Sequence, residues 1–162
     1  MKKINKKMYI YLAIFIVVTP LVLTFGAILL NQAHLSGPPG FGSRLKTYLT
    51  TNVAKTGQAP VFPELQTPVF DRPADALYQD ALDAIEKEGW TLEESNQEAL
   101  RIKAIVVTPL WRFRDDVEIQ IEQIKPEQSS LTITSSSRIG RGDLGANAGH
   151  ILCLVKLLKE QS

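Results

Sequence analysis

Residues 135–150 read Ser-Ser-Ser-Arg-Ile-Gly-Arg-Gly-Asp-Leu-Gly-Ala-Asn-Ala-Gly-His, which sets hydroxyls, two guanidiniums, a carboxylate, a carboxamide and an imidazole among four glycines. Three chemistries suit those types. Ser135 and Ser137 are nucleophiles if the fold brings His150 to them as a base. His150 and Cys153 stand at i, i+3, a helical spacing for two metal ligands, but a closed site needs about four, so we expect no metal. Glycine amides at a helix start, flanked by Arg138 and Arg141, suit an anionic group such as a lipid phosphate, a glycan carboxylate or a small metabolite. Asp143 at the same terminus works against an anion. Its structural role is to cap the helix, while Gly140, Gly142 and Gly145 supply the turn and a close approach.

Gly140-x-Gly142-x-x-Gly145 also matches the dinucleotide-binding spacing. Such a unit needs a second parallel strand after the helix and an acidic residue about 20 positions on. Only Gln161 and Ser162 follow Glu160, so we expect no nicotinamide or flavin cofactor. Asp115 and Asp116 make a poor general acid and base pair, because adjacent strand residues point to opposite faces.

The elements that must position these residues follow an uneven charge distribution. Residues 1–63 carry seven Lys/Arg and no Asp/Glu; all 17 acidic residues lie from Glu64 onward. An acidic folded part argues against a nucleic-acid surface, which needs clustered cations. The single cysteine, Cys153, excludes an intrachain disulfide.

Residues 8–30 contain no charge and are preceded by Lys2, Lys3, Lys6 and Lys7. As a helix the run spans roughly 34 Å, enough for a hydrocarbon core of about 30 Å. It is too long for a cleaved signal's apolar region, and Asn31-Gln-Ala33 lacks a small residue at the first position of a cleavage site. We expect an uncleaved, single-pass signal anchor with Pro20 tolerated inside it. The lysines keep the N-terminus in the cytoplasm and place the rest in the periplasm or outside the cell.

The chain then divides into three: a Lys-rich tip and anchor over 1–34, a connector rich in proline and glycine over 35–72, and an α+β domain over 73–162. Within the connector, Leu45, Tyr48, Leu49 and Val53 have helical spacing. That short helix either lies on the membrane, with Arg44 and Lys46 near headgroups, or packs on the domain.

After Pro73, the apolar positions Ala74, Leu77, Tyr78, Ala81 and Ile85 define one helix face, and Gly89 stops the helix. Strands follow. Leu100, Ile102, Ala104 and Val106 share a side; Trp111, Phe113, Val117, Ile119 and Ile121 share another, with Asp116 opposite. Asp115 falls on that apolar side, so we expect a bulge or a strand-end position to relieve a buried charge. In the next strand Leu131 and Ile133 face inward, followed by Ser135 and Ser137. Pairing Ile121 with Ile133 sets Asp116 opposite Arg138 as a cross-strand ion pair, and Ser137 opposite Val117. A last helix from Asp143 to Glu160 carries Leu144, Ala148, Ile151, Val155 and Leu158 on one stripe. Cys153, Leu154 and Leu157 flank it, so the helix is either sandwiched or presents a second apolar face.

Several segments together resemble the domain of unknown function 1499 family. They are the Gly-Pro-Pro-Gly stretch after the apolar run, Tyr48-Leu-Thr-Thr-Asn-Val53, Phe62-Pro-Glu-Leu65, Trp111-x-Phe-x-Asp-Asp116, and Ser135-x-Ser-Arg-x-Gly-x-x-Asp-x-Gly-x-Asn147. The resemblance implies no activity. The chain also lacks a Pro-Asn-Cys segment that some relatives carry ahead of the domain, so no thiol-dependent role is implied.

The expected architecture is α+β: a transmembrane helix plus one antiparallel sheet of four to five strands, with two helices packed on one face. The expected function is a non-catalytic binding or interaction module of the cell envelope, held in the inner membrane, with the membrane and a protein as partners. The alternative is a small-anion-binding or hydrolytic domain. It would use Arg138, Arg141, Ser135, Ser137 and Asn147, with Asp115 beside them and Asp116, Gly140, Gly142, Asp143 and Gly145 as the structural frame.

Overall fold

A computed structural model describes residues 5–161. Lys2 and Lys3, half of the lysine cluster used to assign orientation, lie outside the described residues.

Helix α1, Lys6–Leu30, starts where the Asn5 side chain accepts the Lys7 N–H at 3.2 Å. It passes through Pro20 without interruption. Its side chains are largely exposed as far as Phe25, and Ala27 and Ile28 are buried against the rest of the protein. With a window of mean hydropathy 2.6, it is one helix long and apolar enough to cross a membrane.

Helix α2, Phe41–Thr50, follows a turn and is held from within. Arg44, expected near lipid headgroups or on a packed face, is 1% exposed. Its guanidinium donates to the carbonyls of His34 (2.9 Å) and Pro38 (2.6 Å) and forks onto Glu64 at 2.5 and 2.9 Å. The Phe62 ring lies beneath it, 4.5 Å from the guanidinium carbon, and meets Tyr48 edge-on at 5.3 Å. Lys46 is exposed.

The proline-rich stretch that reads as a connector carries two short strands of the sheet, β1 (Val53–Lys55) and β2 (Val69–Phe70), with a 3-10 turn at Pro63–Leu65 between them. Both pair with β6 (Gln128–Ser137), at opposite ends of its outer edge. Helix α3 (Ala74–Lys87) and strands β3 (Thr91–Asn96), β4 (Arg101–Val107) and β5 (Arg114–Lys125) intervene, and α4 (Ala146–Glu160) closes the chain. The sheet is antiparallel, in the order β1-β6-β5-β4-β3 with β2 beside β6. It therefore has six strands rather than four or five; β1 and β2 are too short for alternation to reveal them.

The core forms where the alternation places it. Ile102, Ala104 and Val106, then Val117, Ile119 and Ile121, then Leu131 and Ile133 are buried on one face. Helices α3 and α4 cover that face and touch each other. Gly89, at φ +67, ends α3 by turning Trp90 so that its N–H reaches the Ile85 carbonyl at 3.0 Å. Helix α4 is sandwiched: Leu154, Leu157 and Leu158 are buried beside Ala148 and Ile151, which leaves Val155 half-buried and no wide apolar outer face.

Three expectations shift. The β5–β6 register has Ile119 opposite Ile133 and Ile121 opposite Leu131, a slip of one pleat from the expected pairing. The cause is the hairpin: Lys125 pairs with Gln128, and an irregularity between Gln123 and Lys125 absorbs Ile124. Because the slip is two residues, every side chain keeps its face. Trp111 and Phe113 leave the core and are 49% and 41% exposed. There the chain closes a loop on Thr108, whose N–H donates to the Phe113 carbonyl (2.8 Å) and whose Oγ1 accepts the Phe113 N–H (2.9 Å). Finally, α4 begins at Ala146 rather than Asp143, after Gly145 at φ +83.

Candidate functional site

The polar end of the sheet is made by β5, β6 and the first turns of α4. Ser135 and Ser137 continue the inward set of β6, as their spacing requires, and Asp115 sits directly opposite Ser137. No bulge relieves Asp115. It is the second residue of β5, in regular pairing with Val106 and Ser137, and it is fully buried. Among the described residues, neither of its carboxylate oxygens has a hydrogen-bond partner. Burial pushes its pKa up, opposed by the nearby Ser137 hydroxyl and reinforced by the Asp143 and Asp116 charges.

Ser135, Asn147 and His150 meet beside it. The Ser135 hydroxyl donates to Asn147 Oδ1 at 2.6 Å and lies 3.3 Å from His150 Nδ1. That same nitrogen is 3.8 Å from Asp115 Oδ2. Asn147 Nδ2 donates to the Asn52 carbonyl (2.8 Å) and to Ser137 Oγ (2.9 Å), so one carboxamide joins α4, β6 and the start of β1. Asn52 returns bonds to the carbonyls of Ser137 and Gly140.

Serine, histidine and aspartate are thus together, but their wiring is not that of an acyl-transfer triad. A triad places nucleophile and carboxylate on different ring nitrogens, whereas both face Nδ1 here. Ser135 is 0% exposed and its proton is committed to Asn147. Burial lowers the pKa of His150 to about 4, which leaves a weak base. Cys153 is half-buried and pushed up to about 11, far from a reactive thiolate. Among the described residues, no three His, Cys, Asp or Glu side chains converge as metal ligands.

The histidine has a measurable consequence. Its folded pKa is depressed below 6.5, so the unfolded chain binds more protons between pH 6.5 and about 4 and stability falls as pH drops through that window. The size is on the order of 3 kcal/mol. Asp115, raised, has the opposite sign: its contribution is full below the unfolded value and is lost as pH rises through the folded one. Urea unfolding at the two ends of the window should therefore show a steep acid loss in the wild type that His150→Gln removes. An equal slope in both would place the sensitivity elsewhere.

The remaining candidates lie around this cluster. Arg138 forks onto Asp116 (Nε at 3.0 Å, Nη2 at 2.6 Å), so the expected ion pair forms diagonally despite the slipped register. Arg141 is exposed. Asp143 caps α4 from two residues outside it, accepting the N–H groups of Gly145 (2.8 Å) and Asn147 (3.1 Å). The glycine corner makes a close approach to another part of the chain. It is filled by the protein's own N-terminal part: a Cβ on Gly142 would lie 2.4 Å from the Leu49 carbonyl, one on Gly145 2.3 Å from Ala33 Cβ, and one on Gly149 2.3 Å from the Asn31 carbonyl oxygen. Asn31, at the end of α1, donates to the carbonyls of Asp143 and Leu144 (3.3 and 3.2 Å). The corner is a socket for the end of α1. It also follows an antiparallel strand, which removes the dinucleotide reading.

Two hollows flank this junction. One, of about 80 Å³, lies among Ala27 of α1, Leu110, Trp111, Phe113, Asp115 and Asp143. The other is a groove of about 440 Å³ past Trp90, His150, Arg112 and Cys153. The smaller has two carboxyls on its wall: Asp115, and Asp143, whose oxygens accept the cap hydrogen bonds.

The residues that complete the junction, Asn31, Ala33, Arg44, Asn52 and Glu64, carry no spacing signal. Asn52 and Glu64 do fall within the Tyr48–Val53 and Phe62–Leu65 segments that carry the family resemblance.

Fold and junction define the class: an α+β domain with its helices on one face of an antiparallel sheet, seated on the end of an apolar helix. The chain belongs to the family described as Protein of unknown function (DUF1499), whose model matches residues 33–158. No curated protein matches it in sequence.

Proposed function

We propose that this is a single-pass membrane protein, N-terminus cytoplasmic, whose α+β domain is held against the outer surface of the cell membrane and works there as a non-catalytic binding module for an envelope component. The observation that carries the reading is the socket. Ala27 and Ile28 are buried and Asn31 is bonded into the 143–144 corner, so a helix fit to span a bilayer ends inside the domain instead of in a tether. The miswired, buried serine cluster speaks against hydrolysis, and the acidic hollow speaks against an anionic ligand. A buried carboxyl without a partner is costly unless a ligand or water satisfies it. The hollow it faces favours a component presenting an ammonium or another hydrogen-bond donor.

Two arms test this on the detergent-solubilised full-length chain and in cells. Butylammonium should raise the melting temperature, butyrate and phosphate should not, and Asp115→Asn should abolish the effect. Equal stabilisation by butyrate would overturn the ligand chemistry. A reporter enzyme active only outside the cytoplasm, fused after Ser162, should work; a silent fusion would overturn the orientation.

A further inference from the structure

The loop between β4 and β5 does something the core does not need. Residues 108–113 expose Leu110, Trp111 and Phe113 (42%, 49% and 41%), and Ile139, in the neighbouring β6–α4 loop, is 62% exposed. Water-exposed tryptophan, phenylalanine, leucine and isoleucine on two adjoining loops form an apolar patch that folding leaves uncovered. The four side chains line one hollow together with Ala27 of α1.

That neighbour fixes their level. Counting from Met8, about 20 helical residues span a hydrocarbon core of about 30 Å, which brings the far boundary of the core to Ala27. The patch therefore lies beside α1 where lipid tails give way to headgroups, the depth at which tryptophan and other amphipathic side chains concentrate. The charges agree. Arg112 and Arg141 of the two loops and Arg114 at the start of β5 are exposed, Arg138 is held by Asp116, Asp115 is buried and Asp143 is turned to its cap. A cationic rim around an apolar tip suits an anionic bilayer surface.

We propose that residues 110–113 and Ile139 form a second membrane contact, dipping into the headgroup boundary beside α1 and fixing the tilt of the domain on the lipid. The proposal rests on α1 spanning the bilayer, and the occupant is the lipid of the membrane that holds α1.

The test uses the full chain in vesicles of phosphatidylcholine and phosphatidylglycerol in roughly equal parts, with and without bromine-labelled acyl chains. Trp90 and Trp111 are the only tryptophans, so Trp111 is read as the difference between the native protein and Trp111→Phe, with Trp90→Phe as a second check. Brominated lipid should quench the Trp111 emission, as it does side chains buried at the headgroup and acyl boundary, and Phe113→Ser with Leu110→Ser should reduce that quenching. Carbonate extraction separates the two ideas. If the chain washes off, the spanning reading has failed. If it stays embedded while Trp111 is unquenched, the second contact is wrong. Unquenched emission whose wavelength depends on protein concentration would assign the patch to a second copy and overturn the lipid assignment.

Discussion

Replacing Arg44 with methionine should destabilise the protein by about 3–5 kcal/mol, because it strips the partner from a half-buried carboxylate and leaves carbonyls without donors. At 1% exposed, Arg44 satisfies the carbonyls of His34 and Pro38 and both oxygens of Glu64, and it stacks on Phe62. The pair holds Arg44 above and Glu64 below their ordinary pKa values, chiefly through the shared hydrogen bonds. Arg44→Lys discriminates further. A lysine near lipid headgroups would serve as well as an arginine, whereas in this clamp an ammonium cannot reproduce the fork or the stacking. Arg44→Lys should therefore also lower the urea midpoint strongly, while Lys46→Ala, exposed one turn face away, stays within about 0.5 kcal/mol. A neutral Arg44→Lys would return Arg44 to the membrane surface.

Gly149→Ala should destabilise, against the usual rule. Inside an ordinary helix the change gains about 1 kcal/mol, and Gly149 lies within α4. Its Cβ, however, would stand 2.3 Å from the Asn31 carbonyl oxygen, a backbone atom that cannot swing aside. Overpacking of this kind costs about 1–3 kcal/mol or displaces the neighbour. Here the neighbour is the end of α1, so the expected signs are a lower urea midpoint and faster proteolysis of residues 31–40. Gly145→Ala should do the same for two reasons: φ +83 and 2.3 Å to Ala33 Cβ. Gly89→Ala is the control, strained at φ +67 but with nothing within 4 Å; it should destabilise without exposing residues 31–40. A gain in stability for Gly149→Ala would mean that α1 does not dock there.

Both predictions concern contacts between segments far apart in sequence, and they mark the limit of legibility. Alternation in β4, β5 and β6 revealed the buried face because strand side chains point alternately and one face meets helices. The same period left the register open to a two-residue slip, since a slip of a whole pleat changes no face. The spacing in α3 gave its buried face; in α4 it gave Ala148, Ile151 and Leu158, but Leu144 lies before the helix, Val155 is half-buried, and Leu154 and Leu157, expected on the flanks, are buried. Trp111 and Phe113 went astray because their alternation matches a strand, while Thr108 closes a loop on Phe113. Asp115 was placed on the correct face, but its burial follows from the helices stacked over that face.

What the sequence determined by itself is therefore local and periodic: an apolar helix long enough to span a bilayer, an α+β domain, a glycine corner at the start of α4, and the family. Only the tertiary structure decided what the corner is for. Glycine spacing says that something must come close and cannot say what. An anion, a cofactor and a stretch of the protein's own backbone make the same demand on a residue without a Cβ, and the answer depends on the path of residues 27–50, which no local pattern records. Those residues bring the end of α1 to Gly145 and Gly149 and the end of α2 to Gly142, and so make the glycine corner the seat of the apolar helix.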